Sequence, residues 1–315
     1  MSASARSRVQ LLGSAAFFST GGAAIKACAL SNWQVMSLRA AIAAATVLLL
    51  LPAARRRWTG PALVVGVLYA ATAFFFVTSN KLTTGANTIF LQSSSPLYIA
   101  LLSPWLLHER VKRRDVLFMA ALAVGLVLIF LGTQAPVATA PDPVRGNVLG
   151  ALSGLSCGLM LIGLRWLERA APGSSATAVV VGNTAAFLLG ALHAFPVEAR
   201  AVDWLILGYL GIFQIGVGYV LLLSALRHVG ALEATLLLFI EPVLNPLWTW
   251  LVHGERPGAW SLAGGALILA ATAVKTWSDL ASPVPASARV SRSPVPATAE
   301  RAGEREDHPP GSSSG

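Results

Sequence analysis

One carboxylate, Glu241, lies near the middle of the apolar run ALEATLLLFIEPVLNPLWTWLVH, residues 231–253. Ten residues of helix rise roughly 15 Å, which reaches the middle of a ~30 Å hydrocarbon layer. A charge is costly at that depth, so the carboxylate must face a partner or a wet cavity. There it can hold an amine or take up and release a proton; the structural alternative is a neutral, hydrogen-bonded group beside the bend at Pro242. Asn245 and Trp248 follow at i+4 and i+7 and share its helix face. In a second run, Gln92 and Ser95 precede Pro96 and offer donors and acceptors, either to a solute or to neighbouring helices. Lys26 and Arg39 fall near the ends of two earlier runs. Long basic side chains there snorkel to the interface, attract an anionic group or pair with Glu241. Glu241, Asn245, Trp248, Gln92, Ser95, Lys26 and Arg39 form the candidate solute-binding set. Pro96 and Pro242 are candidate kinks, since each removes a helix hydrogen bond and frees the carbonyl of Gln92 or Leu238.

The elements that hold these residues are legible from composition. Of 315 residues, 55% are hydrophobic and 12% charged, about half the charge of a soluble domain. Mean hydropathy is +0.66. Most of the chain is therefore expected to be solvated by a lipid bilayer. Runs long enough to cross it read as 9–29, 33–51, 61–80, 86–107, 114–132, 146–166, 176–195, 204–223, 231–252 and 259–277. Backbone groups in lipid must pair internally, which favours helices, and no period-2 barrel pattern is seen. The expectation is an all-α integral membrane protein of ten transmembrane helices.

With the N-terminus in the cytoplasm, 13 lysines and arginines fall on the inner side. Lys81, Arg145, Arg200 and Arg256 are the 4 on the outer side. That bias puts both termini inside a plasma or bacterial inner membrane. The run after Arg6 and Arg8 is too long for a signal peptide and reads as an uncleaved first span. Residues 278–315 are rich in Ser, Pro and Ala and repeat Ser-Pro-Val-Pro-Ala, which reads as a disordered cytoplasmic tail.

A shift of 146 positions superposes region 80–110 on 226–256. Leu91, Pro96, Leu101, Glu109 and Arg110 then meet Leu237, Pro242, Leu247, Glu255 and Arg256, and Lys81 meets Arg227. Leucine matches are cheap in this composition; a mid-span proline and a terminal Glu-Arg in one register are not. Residues 9–132 and 146–277 thus read as two related five-helix units. Five is odd, so the second unit enters the membrane inverted, a device of secondary transporters.

LQSSSPLYIALLSPWLLHERVKRRD and LLLFIEPVLNPLWTWLVHGERP resemble the signature of the drug/metabolite transporter superfamily, EamA family. Its pattern is an apolar helix with a central proline ending in a Gly-Glu-Arg-like turn, and His108 stands where that glycine is usual. The Lys26 and Arg39 pair and the segment RGNVLGALSGLSCGLMLIGLRWLER resemble the family as well. The resemblance implies a central cavity between the halves and import or export of a small-molecule metabolite or drug, without implying which. Coupling to protons through Glu241 is compatible with it, and so is a homodimer.

Other functions find little support. The +9 net charge falls in short clusters between apolar runs rather than on one face, which argues against nucleic acid. Cys28 and Cys157 lie far apart with no metal-ligand spacing, so no metal or cofactor is expected. No H-E-x-x-H or Walker loop is present. The alternative, a polytopic membrane enzyme acting on a lipid-linked or hydrophobic substrate, would need a cluster of carboxylate, His or Arg residues at one membrane face. Gly146, Gly150, Gly154 and Gly158 recur every four residues and form a ridge suited to close helix packing.

Overall fold

The computed structural model describes residues 3–106, 113–225, 228–229 and 231–281. Glu109, Arg110 and Arg227, used in the repeat comparison, lie outside the described residues, as does the tail beyond Ala281. The fold is all α, with no strand among the described residues. Helices run α1 Ala3–Ser19, α2 Gly21–Ala27, α3 Asn32–Leu50, α4 Gly60–Leu82, α5 Gly85–Gln92, α6 Ser95–Leu106 and α7 Arg113–Leu131. They continue with α8 Pro143–Ala170, α9 Ser174–Ala194 and α10 Ala201–Tyr209. A π-helical stretch at Leu210–Val217 follows, then α11 Gly218–Ala225, α12 Ala231–Leu238, α13 Ile240–His253 and α14 Ala259–Ala281.

Local chemistry sets many of these ends. Ser31 and Gln34 form a reciprocal capping box at the start of α3. Thr59, Thr84 and Asp142 accept from the first turns of α4, α5 and α8, and a proline follows Thr59 and Asp142 within the first turn. α13 stops at Gly254, whose φ of 67° is left-handed. Among the described residues, seven helical stretches, one of them the continuous run Ala201–Ala225, are long and apolar enough to cross a membrane. Three further segments are interrupted: at Thr20 between α1 and α2, at Ser93–Ser94 between α5 and α6, and at Phe239 between α12 and α13. Each of the last two breaks stands three residues before a proline, Pro96 or Pro242, whose missing N–H ends the run of helix bonds. Ser93 and Phe239 are equivalent under the 146-residue shift, so the two interruptions occupy one repeat position.

Side chains are arranged inside out. Leu49, Val64, Leu117, Leu131, Leu192, Leu205 and Leu251 are exposed, while Asn80, Thr88, Asn147, Ser153 and Asn245 are buried. Lipid-facing leucines around a polar-containing interior are what a bilayer solvent selects. The glycine ridge of α8 lies against the ends of α4, α5 and α6. A Cβ at Gly154 would stand 2.7 Å from the Leu91 carbonyl oxygen, and one at Gly158 3.0 Å from that of Ser95. Backbone-close packing therefore braces α8 against the interrupted segment.

Candidate transport site

Proline-broken α13 carries the largest group of candidate residues. Glu241 is half-buried as the second residue of α13, beside the proline that ends the helix-bond run. Tyr219 and Cys157 are also half-buried and lie within electrostatic reach of Glu241. One turn on, Asn245 is fully buried and neither its Oδ1 nor its Nδ2 has a hydrogen-bond partner in the protein. Trp248 donates its indole N–H to Ser19 Oγ at 3.0 Å, tying α13 to α1.

The polar stripe on the α5–α6 segment has a different employment. Gln92 donates to Ser153 Oγ on α8 at 2.9 Å. Ser95 is buried, with its backbone against Gly158 and its side chain beside Cys157. One amide N–H of Gln92 thus goes into the contact with α8, and its side chain remains half-buried.

Lys26 does not snorkel and does not meet Glu241. Its ammonium lies 2.7 Å from Glu255 Oε1, and both side chains are almost fully buried, 4% and 2% exposed. It also donates to the carbonyls of Thr83 at 2.7 Å and Thr139 at 2.5 Å. Glu255 Oε2 accepts the backbone N–H of Gly85 at 2.9 Å, an unpaired donor in the first turn of α5. One carboxylate from the Glu-Arg turn of the second half thus joins α2 and α5 of the first. Nearby, Lys81 donates to the Cys28 carbonyl at 2.5 Å. Thr83, Asn87, Asn147 and Thr133 form a chain of side-chain hydrogen bonds.

Arg39 lies deeper than the sequence suggested. It is the eighth residue of α3, about 10 Å along the helix, and is only 4% exposed. Its Nη1 has no hydrogen-bond partner. Tyr69 and Tyr219, whose ring centroids lie 5.6 Å apart at a tilt of 53°, are the groups within its electrostatic reach. The tyrosine pair thus stands between Arg39 and the surroundings of Glu241.

The description "EamA-like transporter family" matches residues 8–131 and again 144–277, two segments covering most of the chain. The chain belongs to the EamA-like transporter family. A curated relative, the pseudopaline exporter CntI of Pseudomonas aeruginosa, is 27% identical over 212 residues, 66% of this chain and 70% of that protein. An uncharacterized transporter of Archaeoglobus fulgidus is 27% identical over 208 residues, 66% of this chain and 73% of that one. YyaM, an uncharacterized transporter of Bacillus subtilis, is 22% identical over 216 residues, again 66% and 70%. A solved crystal structure at 22% identity superposes with a TM-score of 0.59 over 88% of this chain and 99% of its own, which shows the shared fold. The protein is thus a multi-pass membrane transporter of two EamA-type repeats.

In this EamA chain, four features escaped sequence reasoning: Glu255 as the partner of Lys26, the π-helical stretch, and the buried amides of Asn80 and Gln214. Glu255 was visible as half of the repeated Glu-Arg turn, and Gln214 as a lone amide in an apolar run. Either feature was a usable signal.

Proposed function

We propose that this EamA-family chain is a secondary transporter of a small polar metabolite that works by alternating access, with Glu241 as the proton-coupling group. In this reading ten spans arise by joining the three interrupted segments, as two inverted five-helix repeats at residues 9–132 and 146–277. Both termini are cytoplasmic, and the Lys26–Glu255 end faces outward. The observation that carries the reading is Glu241 itself: a half-buried carboxylate at mid-span of an apolar run, on a proline-broken helix. Such a group can exchange a proton with an internal space while the bilayer stays sealed. The interrupted α5–α6 and α12–α13 segments at equivalent repeat positions support it, because paired broken helices flank transport sites in inverted-repeat carriers. The relative named as an exporter favours outward transport.

The test uses proteoliposomes carrying wild type or Glu241→Gln and a panel of radiolabelled metabolites, with and without an imposed pH step. The substitution keeps shape and hydrogen bonding but cannot ionise. The reading expects wild type to accumulate a solute only with the pH step, and the variant to exchange that solute without gradient-driven accumulation. Equal gradient response in both proteins removes Glu241 from coupling. Topology is tested separately: a thiol placed at Ala138 should react with an impermeant reagent on intact cells, and protection there reverses the orientation.

A further inference from the structure

The first membrane segment breaks at Thr20, and the two glycines after the break lie beneath three amide side chains. A Cβ at Gly22 would stand 2.7 Å from Asn245 Oδ1 and 3.1 Å from Asn80 Oδ1; one at Gly21 would stand 2.8 Å from Gln214 Nε2. The amides come from α13, α4 and the π-helical stretch, so three separate elements converge on one broken helix. Asn80 and Asn245 are fully buried and Gln214 is 4% exposed. The side-chain oxygens of all three have no hydrogen-bond partner in the protein, and neither has the amide nitrogen of Asn245. Asn80 spends its nitrogen on the Phe76 carbonyl at 3.0 Å and leaves its oxygen free.

An unpaired buried amide oxygen is costly, so three together mark an unmet need for donors or positive charge. Neutral oxygens beside a broken helix are the setting in which carriers hold small cations, and hard cations take oxygen ligands. The two nearby lysines do not fill this role. Lys26 is held by Glu255, Thr83 and Thr139, and Lys81 by the Cys28 carbonyl. Glu241 stands one turn from Asn245 on the same face of α13.

We propose that Asn80, Gln214 and Asn245 form a binding site for a monovalent cation at the break of the first segment. The cation is an alkali metal ion or the primary ammonium group of an organic solute, held by amide oxygens in either case. Gln214 lies within the π-helical stretch, and such stretches are frequent at functional sites. Binding rather than flux is the property at issue, so the site stands or falls apart from proton coupling.

The experiment uses the full chain in lipid nanodiscs at fixed ionic strength, with choline chloride as the inert salt. Thermal unfolding is followed while choline is replaced by sodium, potassium or methylammonium. The site requires a saturable rise in Tm with at least one of them. Response to sodium or potassium alone assigns a metal ion; response to methylammonium alone, the ammonium of a solute. Asn245→Leu should weaken half-saturation by about tenfold or more, equivalent to at least 1.4 kcal/mol. Asn245→Asp adds a charge at the same size and should tighten it, which keeps the test decisive if the leucine variant does not fold. No saturable response in wild type overturns the proposal, as does an unchanged half-saturation in Asn245→Asp.

Discussion

The two ends of the helix bundle are held by different kinds of contact. At the end formed by α2, α5, α13 and the start of α8, the Lys26–Glu255 pair is buried, and the Thr83–Asn87–Asn147–Thr133 chain surrounds it. At the opposite end, among the described residues, Arg8 pairs with Glu233 while both remain exposed, 56% and 37%. Lys275 meets Asp115 at 3.0 Å with each about a fifth exposed. A buried pair is costly to break, because the abandoned charge has no solvent, whereas an exposed pair contributes little. Among the described residues, one end therefore carries a buried pair and the other carries pairs nearer to solvent, an asymmetry that the alternating-access proposal draws on.

Removing the buried pair has the largest expected effect. Glu255→Ala leaves the Lys26 ammonium buried without a counter-charge and frees the Gly85 N–H; stability should fall by about 3–5 kcal/mol. Thermal unfolding of the purified protein measures it, and Lys26→Met combined with Glu255→Ala should recover most of the loss. A double variant as unstable as the single one would mean that Glu255 matters for packing rather than charge. Next comes Gly154→Leu. With the Leu91 carbonyl 2.7 Å from the new Cβ, α8 must move away from α5, at a cost of about 1–3 kcal/mol. Full stability with altered solute selectivity would instead assign the α8 ridge to the pathway. The smallest effect is expected at the opposite end, where Arg8→Ala should shift stability by no more than about 1 kcal/mol. A loss equal to that of Glu255→Ala would abolish the contrast between the ends.

Much of this contrast was legible in sequence, but unevenly. Pro96 and Pro242 mark two of the three breaks in the sequence, whereas the break at Thr20 has no proline beside it and the caps at Ser31, Thr59 and Asp142 emerge only with their hydrogen bonds. The Glu-Arg turn was found as a repeat, yet its partner was not. Lys26 and Glu255 are 229 positions apart, and nothing local signals which buried charge meets which. Arg39 stands seven residues into the run 33–51 and eight into α3, about two turns inward, which is too deep for the interfacial position expected of it. The π-helical stretch shows no local signature because packing produces it: Gly211 and Gly216 let it lie against Ile42 and Thr46 of α3. Gln92 was legible only as two alternatives, and in the fold its Nε2 donates to Ser153 while the side chain stays half-buried.

The central claim is that the two ends open in alternation and that Lys26–Glu255 closes one of them. Spin labels at Ser31 and Arg256, both exposed, report that end; a second pair at Arg57 and Trp277, also exposed, reports the other. With Cys28 and Cys157 replaced by serine, electron–electron distance distributions are recorded in nanodiscs for an otherwise wild-type chain and for Glu255→Gln. The account predicts that neutralising Glu255 lengthens the Ser31–Arg256 distance and shortens the Arg57–Trp277 distance within one folded population. Unchanged distances at both ends, or a lengthening at both, would contradict it.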